Sequence, residues 1–215
     1  MTDWATISSL ATAGATLVLA VATFASVHSA NRAARSAEGA TRIAERSLLS
    51  AQRPLLVTSR AQDPEQRIEF AEGKSLLLPG GGAAVEVTEG ILYMALAVRN
   101  VGTGLAILHS WYMSVGERIE RTHPPLEAFT AHVKDIFVAP GDHGFWQGAF
   151  RDPTAEQYAA TAAAISAGDS LMLDVLYSDY EGGQRVISQF VLRLEGGVWQ
   201  PSVVRHFNVD RPDPR

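Results

Sequence analysis

From Trp4 to Ala30 the chain runs through Leu10, Leu17, Val18, Leu19, Phe24 and Val27 without one Asp, Glu, Lys or Arg. This uncharged run is 27 residues long, and a helix of about 20 residues already crosses the hydrocarbon of a bilayer. The pattern predicts a single membrane span over residues 1–30. Ala, Thr and Ser dominate it at the expense of Leu and Ile, so the buried helix of a soluble complex is the competing reading. A cleaved secretory signal fits poorly, because Met1-Thr2-Asp3 lacks the basic leader such signals carry. Trp4, at the start of the run, suits an interfacial aromatic anchor.

Residues 31–53 continue the helical pattern with charges added. They contain no Pro and a single Gly, and Arg35, Glu38, Arg42 and Glu45 fall three or four apart, a spacing that lets opposite charges pair on a solvated face. Arg53–Pro54 ends the pattern, since proline disfavours helix in the residue before it. Nearly 50 helical residues far exceed the globular norm and indicate a span followed by a stalk.

Beyond Pro54 the period changes to that of short strands divided by turn residues. Candidate strands are Leu55–Ser59, Ile68–Phe70, Lys74–Leu78, Ile91–Val101, Leu105–Val115, Asp135–Ala139, Gly144–Arg151, Ser170–Ser178, Gln184–Leu194 and Trp199–Phe207. Ile91–Val101 is apolar at odd and even positions alike, as expected of a central strand. Ile119 to Ala131 reads as a polar connection, and Asp179-Tyr180-Glu181-Gly182-Gly183 as a hairpin turn. Thr154 to Ala167 is the exception. Thr154 is placed to cap a helix, Glu156 lies in its first turn, and an Ala run stops at Gly168. Short strands at regular spacing with one inserted helix predict a mainly β domain over 54–209, an immunoglobulin-like β-sandwich, with a small barrel as the alternative. Residues 210–215 form an irregular tail.

Charge sets the orientation. Residues 31–53 hold five arginines, Arg32, Arg35, Arg42, Arg46 and Arg53, against two glutamates, a net of +3, whereas residues 54–215 carry a net of −7. Basic side chains beside a span are retained on the cytoplasmic side. The β domain is therefore expected in the cytoplasm of a single-pass cell-membrane protein. Arg32, Arg35, Arg42 and Arg46, with Trp4, are the candidate membrane-surface residues, able to lie against anionic head groups. An acidic domain argues against nucleic acid as a partner, because that binding rests on Lys and Arg neutralising phosphates.

Small residues recur on the long helix. Ala11, Ala15, Val18, Ala22, Ser26, Ser29, Ala33, Ala37, Ala40, Ala44 and Leu48 follow at steps of three or four, a spacing that lets two helices approach closely in lipid. Ala11, Ala15, Ala22, Ser26, Ala33, Ala37, Ala40 and Ala44 are thus a candidate seam for homo-oligomerisation, although a helix this rich in Ala produces such a stripe by composition alone.

Chemistry-bearing motifs are sparse. The chain has no Cys, which removes disulfides, thiolate nucleophiles and Cys-ligated metals. The six His show neither His-x₃-His nor His-Glu-x-x-His spacing; His123, Glu127 and His132 would need the fold to bring them together before they could hold zinc. Gly80-Gly81-Gly82 lacks the Lys-Ser/Thr ending of a phosphate-binding loop and reads as a turn. No Gly-x-Ser-x-Gly elbow occurs. Asp174, Asp179 and Glu181 lack EF-hand spacing and read as solvating charges around a hairpin. Trp111, Trp146 and Trp199 are candidate core aromatics. No catalytic, cofactor or metal residue is assigned.

Four runs carry a resemblance: Lys74-Ser75-Leu76-Leu77-Leu78-Pro79-Gly80-Gly81-Gly82-Ala83, Leu96-Ala97-Val98-Arg99-Asn100-Val101-Gly102-Thr103-Gly104, Gly144-Phe145-Trp146-Gln147-Gly148-Ala149, and Arg205-His206-Phe207-Asn208-Val209-Asp210-Arg211-Pro212. With them, most of residues 50–215 resembles a group of uncharacterised bacterial single-pass membrane-anchored proteins with a C-terminal sandwich-like domain. The resemblance implies the architecture and lends no catalytic residue. The expected function is that of a non-catalytic, membrane-tethered adaptor or scaffold with a protein partner. A ligand-binding or sensory β domain is the alternative, and an enzyme the remote third.

Overall fold

The computed structural model describes residues 3–117 and 122–211, apart from the side chains of residues 4–6 and 50. The expected Trp4 anchor, the start of the 119–131 connection and the last four residues of the tail therefore lie outside what is described. Two compact units are present, residues 1–50 and 51–215.

The first is one helix, α1, Trp4–Ala51, 48 residues and about 70 Å long at the usual rise. Its segment Ile7–Leu49 is long and apolar enough to cross a membrane. Its apolar side chains stay outside any core: Leu10 is 68 % and Phe24 76 % exposed. The Thr hydroxyls turn inward, Thr12 donating to Ser8 O, Thr16 to Thr12 O, Thr23 to Leu19 O and Thr41 to Ala37 O, at 2.8–3.0 Å. This back-bonding to the carbonyl four residues earlier satisfies each hydroxyl within the helix, so a Thr-rich segment presents little unpaired polarity to its surroundings.

The second unit is mainly β. Its strands are β1 Leu56–Thr58, β2 Gln66–Glu69, β3 Ser75–Leu78, β4 Ala83–Thr88, β5 Ile91–Asn100, β6 Ala106–Val115, β7 Thr130–Val138, β8 His143–Phe150, β9 Leu171–Ser178, β10 Val186–Glu195 and β11 Val198–Asn208, with helix α2, Glu156–Ala167, between β8 and β9. Nine of them form one antiparallel, sandwich-like sheet in the order β1-β5-β4-β11-β10-β9-β6-β7, with β8 on the other side of β5; β2 and β3 make a separate hairpin. Strand β4 departs from the expected pattern. Residues 83–88 follow the glycine turn and alternate only weakly, yet they pair with β5 from Ala83↔Leu96 to Thr88↔Ile91. Strand β7 also begins earlier than expected, and a 3-10 turn, Leu126–Ala128, interrupts the connection before it.

Strand β5 buries both faces, for two different reasons. Leu92, Met94, Leu96 and Val98 join the main core with Trp111, Trp146, Tyr177, Phe190 and Trp199. Tyr93, Ala95 and Ala97 face the other way, under Ile68, Phe70, Leu76 and Leu78 of the β2–β3 hairpin. All three candidate core tryptophans are buried, and Trp111 meets Trp146 edge to face at 5.4 Å, a favoured aromatic geometry. Helix α2 packs Ala164 and Tyr158 on this core and ends at Gly168 in the left-handed conformation, φ 74°, where glycine avoids the Cβ penalty. The expected cap is not formed. Ala155 occupies the N-cap position without a side-chain bond, because Thr154 Oγ1 donates instead to Asp152 Oδ1 at 2.6 Å, closing a local turn that delays the helix by one residue.

Candidate functional site

Residues 52–58 carry the chain into the β domain, and several buried groups hold them. Asn100 is fully buried and uses both ends of its amide. Its Oδ1 accepts from Leu55 N at 3.1 Å and Gly102 N at 3.0 Å, while its Nδ2 donates to Gly104 O at 2.7 Å and Val138 O at 3.0 Å. Gly102 and Gly104 are required by this closeness: a Cβ on either would come within 2.3 Å of Arg53 O or 1.7 Å of Gln52 O. On the far side, Leu56 N donates to the Tyr177 hydroxyl at 3.1 Å and Ser188 Oγ donates to Leu56 O at 3.1 Å. Arg53 also bonds Asn208. Burial pushes the Tyr177 hydroxyl up to about 12, so it stays a neutral donor and acceptor.

Ser188 Oγ lies 2.8 Å from His206 Nδ1, a pair with the outline of nucleophile and base. Ser188 is wholly buried and its Oγ also meets Leu56 O and the Tyr177 hydroxyl, so the pair belongs to the clasp of buried groups that holds residues 52–58.

The outer face of β6, β9 and β10 holds a second arrangement. Tyr112 stands opposite Asp174, and Asp174 opposite Gln189, three polar residues in one row across the strands. Part of this face is apolar, with Leu176, Ile187 and Phe207 covered by Leu126 and Phe129. Beside it lies a pocket of about 400 Å³ lined by Tyr112, Ser114, Val115, Thr122, Pro124, Pro125, Met172, Asp174 and Gln189. Asp174 is 1 % and Gln189 3 % exposed. Gln189 Nε2 donates to Asp174 Oδ1 at 3.0 Å, which leaves Gln189 Oε1 buried with no partner among the described residues. Burial pushes the Asp174 carboxyl up to about 6, against the pull of the Gln189 hydrogen bond and of His123. A buried acid displaced this far, beside an orphaned acceptor and a pocket, is the arrangement of polar groups that sites for ligands share.

A third cleft, of about 270 Å³, opens between β7 and β8 and includes His132, Gln147 and Arg151. Burial holds the His132 imidazole down to about 4, with the nearby His109 adding to the effect.

The residues expected from the sequence are distributed differently from the simplest pattern. The seam positions Ala11, Ala15, Ala22, Ser26, Ala33, Ala37, Ala40 and Ala44, and the arginines Arg32, Arg35, Arg42 and Arg46, are all exposed on α1. The seam repeats every 11 residues, through Ala11, Ala22, Ala33 and Ala44 and again through Ala15, Ser26 and Ala37, and 11 residues make just over three helical turns. His123, Glu127 and His132 do not converge: His123 packs edge to face on Phe207 at 5.8 Å, His132 lines the β7–β8 cleft, and no group of three potential metal ligands occurs among the described residues. Asp174 and Asp179 are not solvating hairpin charges. Both are buried, and Asp179 knits its turn by accepting from Gly183 N at 2.9 Å and Gln184 Nε2 at 3.2 Å.

The Asp174–Gln189 pair was missed from the sequence, although its signal is visible: one acid inside Leu171-Met172-Leu173-Asp174-Val175-Leu176, and one amide inside Val186-Ile187-Ser188-Gln189-Phe190-Val191. Neither position names the other until the strands pair. No protein-family model and no curated protein matches the chain.

Proposed function

We propose that the protein is a single-pass cell-membrane protein whose β domain acts as a tethered, non-catalytic interaction module, an adaptor or scaffold. One observation carries this reading, the exposure of α1. Ile7, Leu10, Leu17, Val18, Leu19, Val21, Phe24 and Val27 are each at least 48 % exposed. Burying eight such side chains is worth roughly 12–24 kcal/mol at about 1.5–3 kcal/mol apiece, a driving force that a bilayer supplies. The internally bonded Thr hydroxyls and the resemblance to a membrane-anchored bacterial group support the same reading. The arginine excess after the span supports a cytoplasmic β domain, and the 11-residue seam is the route proposed for self-association of α1. For the fold, an immunoglobulin-like sandwich is the finer assignment, supported by antiparallel pairing throughout; the unbroken path from β8 to β7 favours the alternative, an opened barrel.

A ligand-binding or sensory domain is the second functional reading, and the Asp174 pocket favours it. Membrane attachment and topology are tested together. The full chain is expected to resist alkaline carbonate extraction, and a reporter at its C-terminus to be active only in the cytoplasm. Release by carbonate would refute the span, and activity of an exported reporter would refute the orientation.

A further inference from the structure

We propose that the pocket on the outer face of β6, β9 and β10 is a binding site for an organic cation, an ammonium or guanidinium group on an aliphatic stem. The polar groups lining it favour accepting over donating. Asp174 contributes a carboxylate of which only Oδ1 is bonded among the described residues, and Gln189 contributes Oε1, held without a partner. The amide cannot turn to offer its nitrogen instead without losing its bond to Asp174, so the pair together asks for hydrogen-bond donors. Tyr112, Ser114 and Thr122 add hydroxyls at the wall, able to accept in turn, while Met172, Val115, Pro124 and Pro125 supply the apolar lining for a stem.

Charge selects among donors. A neutral donor would leave the carboxylate largely uncompensated, whereas a cation gives it a full charged partner beside the pull of His123, the smallest of the influences on it. Arg205, a cation of this face, is engaged elsewhere: it stands opposite Gln189, yet its guanidinium lies over the Phe207 ring, 5.6 Å from the centroid. The net charge of −7 over residues 54–215 also concentrates small cations near the domain. A buried acid with no ion-pair partner among the described residues lowers stability, and recognition of a cation gives it a role.

The same chemistry reaches the site from a free amine or from a lysine or arginine side chain on a peptide. The test uses the full chain in detergent micelles, titrated calorimetrically with agmatine, which bears both cationic groups, with N-acetyl-lysine methylamide and with neutral butylurea. Saturable binding of one or both cations is expected, with none of butylurea. Tighter binding of agmatine identifies a free amine as the source, and tighter binding of the lysine amide a peptide side chain. Asp174→Asn, which keeps the shape and the Gln189 bond, should weaken cation binding at least tenfold, and Gln189→Met severalfold. Exposed Asp135→Asn should leave it unchanged. No saturable binding to the wild type, equal binding of butylurea, or unchanged affinity in a cooperatively folded Asp174→Asn protein would overturn the proposal.

Discussion

A carboxylate buried with no ion-pair partner among the described residues costs folding energy, and Asp174 allows that cost to be measured. Its carboxyl sits at about 6, raised from 3.8. Between these values the folded chain holds a proton that the unfolded chain has released, so the contribution of Asp174 to stability is greatest below pH 4 and is lost as pH rises to 6. At about 1.4 kcal/mol per pH unit, a shift of about two units amounts to roughly 3 kcal/mol at neutral pH. Asp174→Asn removes the charge, keeps Oδ1 as acceptor for Gln189 Nε2 and turns its amide toward the pocket hydroxyls. It is expected to stabilise residues 51–215 by about 1–3 kcal/mol at pH 7.5 and by almost nothing at pH 4, as read by urea unfolding of that fragment.

His132 provides an internal check. Its imidazole is held down to about 4 from 6.5, so the unfolded chain takes up a proton first and stability falls as pH drops from 6.5 to 4. The two groups oppose each other across nearly the same window. These two contributions should therefore nearly cancel between pH 4 and 6, on top of the loss toward pH 4 from His109 and the paired Glu72, Glu86 and Asp210, all held below their ordinary values, and Asp174→Asn should steepen the fall in stability toward pH 4 by up to about 3 kcal/mol. A variant that is less stable than wild type at pH 7.5, or that shows the wild-type pH profile, would refute the reasoning.

Asn100→Ala should destabilise the same fragment by about 3–5 kcal/mol, because Leu55 N, Gly102 N, Gly104 O and Val138 O all lose their partner in a buried place; a loss below 1 kcal/mol in urea unfolding would mean that the clasp does not depend on it. Asn208→Ala should cost about 1 kcal/mol or less, since Arg53 remains solvated when its partner is removed. For the seam, Ala15→Leu with Ala22→Leu should reduce crosslinking of α1 in membranes, whereas Ala13→Leu with Ala20→Leu, of identical composition on the opposite face, should not. Equal crosslinking in both would reduce the stripe to composition.

The sequence alone determined what local pattern can encode. An uncharged run followed by an Ala-rich charged run makes α1 from Trp4 to Ala51, and Arg53–Pro54 ends it, since hydrophobic length and proline geometry act within a few residues. The two-faced apolar pattern of Ile91–Val101 marks a strand buried on both sides, and Gly168 closes a helix through its own backbone freedom. Pairing lies beyond such signals. Strand β4 alternates too weakly to be seen and exists because β5 offers it an edge. Thr154 loses its capping role to an Asp two residues away, through competition between two local hydrogen bonds of similar strength. Asn100 stands at the polar end of an apolar strand, although its amide joins the nearby Gly102 and Gly104 to Leu55 and Val138, both far away in sequence. Asp174 and Gln189 are 15 positions apart and look like isolated polar residues in apolar strands. Only the register of β9 on β10 sets the carboxylate beside the amide and both at a pocket, because a contact across a sheet is fixed by which edges meet, and that is decided by the packing of the whole domain.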